Sequence, residues 1–202
     1  MIHLQERESN MTLLIVGLLV FLGAHSVRIV AEDWRTRQLA RLGETTWKNI
    51  ISVVSLLGFA LLVWGYGQAR AVPLDLWQPP RWTGHVTALL TLPAFVLLVA
   101  AYVPRNRIKA ALGHPMILGV KLWAFAHLLS NGRANDVVLF GAFLAWAVVD
   151  FAAARRRDRL SGTRYPPGTT ARDAAVVGVG IAAWALFALY LHGWLIGVRP
   201  FG

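Results

Sequence analysis

Histidine is the residue type in this sequence best suited to chemistry. There are no cysteines, which excludes disulfides, thiolate metal sites and cysteine nucleophiles. His25, His85, His114, His127 and His192 lie in or beside long apolar stretches, where an ionisable group is costly and is a functional candidate by default. His25 and Arg28 are three residues apart and share a helix face. An imidazole beside a cation suits a haem-b pocket, the ring serving as axial ligand and the guanidinium as propionate partner. The same pair also suits plain packing, with Arg28 reaching the inner headgroups and His25 bonding a neighbouring carbonyl.

His114 and His127 stand thirteen residues apart on one expected helix. That separates them by roughly 20 Å and more than half a turn, so they cannot ligate one metal from that helix alone. Any bis-histidine site needs a ligand from another helix, and depth alone pairs His25 with His114, or His127 with His192. His114 precedes Pro115 and also fits a capping role. His127 follows Trp123 by four, on the same face, and also fits an exposed position at the outer edge. Lys121 lies on nearly the same face as His114; from mid-helix it calls for a buried partner or a ligand carboxylate. Asp150 can pair with the run Arg155–Arg157, and interfacial roles suit His85 and His192. There is no HExxH, P-loop, GxGxxG or GxSxG pattern.

The elements that must position these residues are membrane spans. Hydrophobic residues make up 56% of the chain and charged residues 15%, against roughly a quarter charged in a typical globular domain. The charges cluster between long uncharged runs, so the net charge of +10 reads as a topology signal and not as a nucleic-acid footprint. Six segments qualify: 11–27 with apolar character resuming over 29–31, 50–69, 82–103, 114–131, 137–154 and 174–198. About 20 residues cross the hydrocarbon core, so the fourth and fifth are short. The expected fold is therefore all-α, a bundle of six transmembrane helices in a lipid bilayer, with a short N-terminal extension over 1–10 and a membrane domain over 11–198.

Thirteen Lys and Arg fall in the first, third and fifth loops, and five in the remaining connections and termini. Positive-inside placement then puts both termini on the non-cytoplasmic side. Asn135 or Asp136 is expected to cap the fifth span, and Thr170 with Asp173 to form a capping box for the sixth. The basic and then Pro/Gly-rich linker 155–168 reads as a mobile loop, and Gly193 with Gly197 as a helix-packing GxxxG.

The stretch Gly113-His114-Pro115-Met116-Ile117-Leu118-Gly119-Val120-Lys121-Leu122-Trp123-Ala124-Phe125-Ala126-His127-Leu128-Leu129-Ser130-Asn131-Gly132 resembles the signature of the NnrU family. Gly23-Ala24-His25-Ser26-Val27-Arg28 supports the same likeness, which extends over roughly 11–197. The family takes its name from bacterial gene clusters for nitrite and nitric oxide reduction, and zeta-carotene isomerases share its domain. The resemblance implies a bacterial inner-membrane protein with haem b between the first and fourth helices. It further implies axial ligands at His25 and His127, with Arg28, Lys121 and His114 on propionates or in supporting bonds. Where the isomerases carry a cysteine three residues before the second ligand, this chain has Ala124. Three functions follow as expectations: a haem accessory of nitrite and nitric oxide metabolism, a haem-dependent cis–trans isomerase of a polyene, or a haem-free membrane assembly factor. The small-molecule partner would be nitric oxide or a lipophilic polyene.

Overall fold

The structure is a computed structural model that describes residues 2–201, with side chains from Asn10 onward. Regular structure among these residues is helical: α1 (Ile2–Val30), α2 (Glu32–Leu42), α3 (Glu44–Ala71), α4 (Thr83–Tyr102), α5 (Arg107–Leu112), α6 (Pro115–Ser130), α7 (Ala134–Ser161), α8 (Thr170–Leu186) and α9 (His192–Ile196), with a π-helical turn at Phe187–Leu191. Helix α1 runs through the expected N-terminal extension, whose side chains, Asn10 apart, lie outside the described residues. Five helical segments are long and apolar enough to cross a membrane: Asn10–Val30, α3, α4, α7 and Thr170–Ile196. Helix α6 is apolar but has only 16 residues, about 24 Å at 1.5 Å per residue, where the hydrocarbon core is about 30 Å thick.

The chain forms two compact units, residues 1–77 with 133–142, and 78–132 with 143–202. In the first, α1 and α3 run antiparallel with their backbones in close approach. A Cβ on Gly17 would collide with the backbone of Leu62, and one on Gly65 with that of Leu14. One on Gly58 would stand 2.7 Å from the Phe21 nitrogen. Lipid supplies no hydrophobic drive between helices, so small residues that admit close van der Waals packing hold such pairs together. These glycines take the role expected of Gly193 and Gly197. Gly197 instead ends α9 in the left-handed region (φ 76°). Gly43, at φ 80°, turns the chain between α2 and α3. Trp34 of α2 meets the buried Trp47 of α3 edge-on at 5.5 Å. The segment after α3 is tied to the start of α7 by Ala134 N donating to Leu74 O (2.9 Å) and by Arg133 Nε facing Asp75 at 3.3 Å.

In the second unit α4 is flanked by α6 and α8. A Cβ on Gly119 would lie 3.0 Å from Ala94 O, and one on Gly180 would lie 2.7 Å from the Val96 Cα. Polar side chains stitch the same helices: Thr87 Oγ1 donates to Ala126 O (2.8 Å) and Trp184 Nε1 to Thr91 Oγ1 (3.1 Å). Asn106 is buried and caps α5. Its Oδ1 accepts from Lys109 N (2.6 Å), while its Nδ2 reaches Ala100 O (2.9 Å) and Val103 O (2.6 Å).

Several boundaries differ from expectation. Helix α7 runs on to Ser161, seven residues past the expected end, with Arg157 Nη2 3.8 Å from Asp150 across its C-terminal turns. The expected mobile loop thus shrinks to the segment 162–169, and that segment is tied down. Thr169 N donates to Arg105 O (3.1 Å), and Gly168 lies against the backbone of Asn106 and Arg107. Thr169, not Thr170, caps α8, accepting from Arg172 N at 3.3 Å. Asp173 accepts instead from Arg107 N at 2.7 Å, because the α5 loop offers it a donor that a local capping box does not need. Asn135 and Asp136 lie inside the first turn of α7, not at its cap.

Candidate functional site

His25 and His127 lie one in each unit and share a local design. An aromatic residue sits four positions earlier on the same helix, and the ring Nδ1 faces that residue's carbonyl. His25 Nδ1 is 2.7 Å from Phe21 O, with the rings 4.4 Å apart. His127 Nδ1 is 2.9 Å from Trp123 O, with the rings 5.3 Å apart. A carbonyl can only accept, so Nδ1 carries a proton in each, and in the neutral ring the lone pair then falls to Nε2. That is the tautomer a metal-binding imidazole needs, with the second nitrogen oriented by a backbone acceptor. Around His127, Trp123 meets Phe143 edge-on at 5.5 Å, Asn131 Nδ2 donates to His127 O (2.8 Å), and Ala124 and Ala126 are fully buried.

The other candidates divide. Arg28 is more than half exposed, with Nε 3.8 Å from Glu32. Lys121, half-buried in the middle of α6, holds its ammonium 5.7 Å from the centre of the Phe151 ring. His114 stands edge-on to the same ring at 6.3 Å, so Phe151 of α7 is flanked by both. Among the described residues Lys121 forms no ion pair, which leaves a carboxylate-binding capacity in an apolar helix.

His114 occupies the N-cap position of α6 without capping it by its side chain. It joins a three-membered cluster instead: His114 Nε2 lies 2.9 Å from Asp158 Oδ2, Tyr165 OH donates to the same oxygen at 2.9 Å, and Tyr165 OH is 3.2 Å from His114 Nε2. Burial, and then the Asp158 carboxylate that its hydroxyl serves, push the Tyr165 phenol up to about 12. Gly113, at φ 75°, lets the chain turn beneath this cluster. A Cβ there would meet Tyr165 Cε2 at 3.0 Å and Arg155 Nη1 at 3.3 Å. The glycine and histidine that open the long motif are thereby accounted for, one by space and φ, the other by a carboxylate. Asp158 and Tyr165 were missed in the sequence because the stretch 155–168, of which α7 takes the first part, reads as a basic linker whose charges signal topology. The only signal was a lone carboxylate among arginines.

The first unit holds a second polar site that sequence reasoning missed. Asp136 is buried and accepts from Tyr66 OH (2.6 Å) and from Asn135 Nδ2 (2.9 Å), while Arg70 stands 5.8 Å from the Tyr66 ring centre. His85 is exposed. His192 Nδ1 bonds Val198 O (2.7 Å) and its ring meets Phe187 edge-on at 5.8 Å, which secures the turn after α9. Groups of three or more His, Asp or Glu able to hold a metal ion do not occur among the described residues.

No curated protein and no solved structure matches the chain. One family model does, over residues 13–200, and its description reads NnrU protein.

Proposed function

Because the chain belongs to the NnrU family, and because His25 and His127 both hold Nδ1 on a backbone carbonyl, we propose that it binds haem b and serves as an accessory of nitrite and nitric oxide metabolism. The shared imidazole design carries this reading. It sets the tautomer in which Nε2 can ligate iron, and in each helix an aromatic ring packed on the imidazole limits its rotation. His25 and His127 are the proposed axial ligands, and Lys121 the proposed partner of a propionate. His114 acts on Lys121 only through Phe151, and Arg28 remains at the headgroup level. Held there, a haem iron would supply one-electron transfer, or a site for a diatomic ligand once one of the two imidazoles is displaced. The chain's own contribution is to orient the imidazoles, to keep the surroundings apolar and to place one cation against a carboxylate. In this reading the protein lies in the bacterial inner membrane as six spans, α6 included, with both termini on the non-cytoplasmic side.

Purified protein in mild detergent should yield about one haem b per chain as the pyridine complex. Addition of nitric oxide to the reduced form should shift its Soret band. A haem content that stays near zero after reconstitution contradicts haem binding. A stoichiometric haem whose spectrum ignores nitric oxide contradicts the nitrogen-oxide role.

A further inference from the structure

Helix α2 is an 11-residue element with no buried residue, set between two membrane-spanning helices. Its tilt follows from the register of its neighbours. Leu14 faces Gly65, Gly17 faces Leu62 and Phe21 faces Gly58, so each step along α1 is matched by an equal step back along α3. The same register carries Val30, the end of α1, to the level of Asn49. Glu44, where α3 begins, stands five residues further out, about 7.5 Å, whereas α2 is about 16 Å long. A rod of that length gaining so little height lies closer to the membrane plane than to its normal. α2 is therefore an in-plane helix at the boundary between lipid and water.

The faces of α2 differ. Arg35, Gln38 and Leu39 are half-buried toward the protein, and Arg35 is paired with Glu32 at 3.1 Å. Trp34, Arg37 and Arg41 are exposed. At spacings of three and four residues they form one stripe, with the two guanidinium groups a turn apart. The neighbouring carboxylates are engaged elsewhere: Glu32 by Arg28 and Arg35, and Glu44 by Lys48 at 2.7 Å. Asp33 is not within ion-pair distance of Arg37 or Arg41, and among the described residues neither arginine forms an ion pair. An exposed indole beside two adjacent unpaired guanidinium groups, held at headgroup level, is complementary to a phosphate on an apolar anchor.

We propose that α2 binds an anionic phospholipid headgroup, its phosphate held between Arg37 and Arg41 and its glycerol–acyl region against Trp34. The test is thermal unfolding of the full chain in mild detergent with added phosphatidylglycerol or phosphatidylcholine of the same acyl chains. Phosphatidylglycerol should raise the wild-type midpoint more than phosphatidylcholine does. The Arg37→Gln/Arg41→Gln variant should keep the wild-type midpoint in phosphatidylcholine and lose the extra shift, whereas Arg37→Lys/Arg41→Lys should retain part of it. Equal shifts from both lipids overturn the proposal, as does an undiminished response in the glutamine variant. An equal shift from inorganic phosphate alone also overturns it, since the site would then read free phosphate. Should the glutamine variant unfold early even in phosphatidylcholine, the lysine variant decides: an undiminished phosphatidylglycerol shift there overturns bidentate capture, and a reduced one supports it.

Discussion

Tyr165 OH and His114 Nε2 share one oxygen of Asp158, and that arrangement bears on how the phenol titrates. The phenol donates only while protonated, so the bond to Asp158 favours its neutral form and lifts its ionisation from the ordinary 10.0 to about 12. The sign is that of a group whose folded value is raised. Its stabilising share is complete below about 10 and is lost as pH rises through about 12. In ultraviolet titration, the difference between wild type and Tyr165→Phe should therefore show a phenol ionising well above pH 10. Asp158→Asn should return that step toward 10. A step already at 10 in the wild type would contradict the hydrogen bond. At Lys121, substitution by Met should leave folding intact, because no ion pair is broken. Its effect should appear as weaker haem retention.

Among the elements, the glycines separate packing from chain flexibility. Gly65 and Gly67 lie on the same helix, yet a Cβ on Gly65 collides with the α1 backbone while one on Gly67 meets nothing within 4 Å. Gly65→Ala should lower the thermal midpoint, with a cost of about 1–3 kcal/mol as for an overpacked core. Gly67→Ala should be neutral or slightly stabilising, since alanine is the better helix former. Equal effects would contradict the close approach of α1 and α3. Five of the six expected spans coincide with helices long and apolar enough to cross a membrane, and these were readable from uncharged runs because the cost of charge in lipid is large and local. The packing glycines were not: Gly17 lies on α1 and Gly58 and Gly65 two turns apart on α3, and the meaning of each depends on the facing backbone. For the same reason Thr169 and Asp173 were misjudged by a local capping rule, when a donor from Arg107 decided the outcome.

At the level of the whole molecule, the proposed topology rests on charge placement and the proposed function on the histidines. Because the chain has no cysteine, single introduced cysteines report sidedness cleanly. In spheroplasts an impermeant maleimide should label Arg81→Cys and spare Arg164→Cys. The reverse pattern would contradict the arrangement with both termini outside. Of the site, the histidine positions and the mid-span lysine were visible in the sequence, since an ionisable residue in an apolar run stands out. The partners of His114 were hidden, because Asp158 at the end of α7 and Tyr165 in the loop after it lie more than forty residues away, in a stretch whose arginines masked the one useful carboxylate.

Whether His25 and His127 present Nε2 to a haem iron is decided by absorption spectra of the oxidised and dithionite-reduced protein. Wild type should be recorded beside His25→Ala, His127→Ala and His85→Ala. A Soret band with sharp reduced α and β bands is expected in wild type and in His85→Ala, shifted or lost in both of the other variants. A colourless wild type after haem reconstitution, or a wild-type spectrum in His25→Ala and His127→Ala, would contradict that ligation.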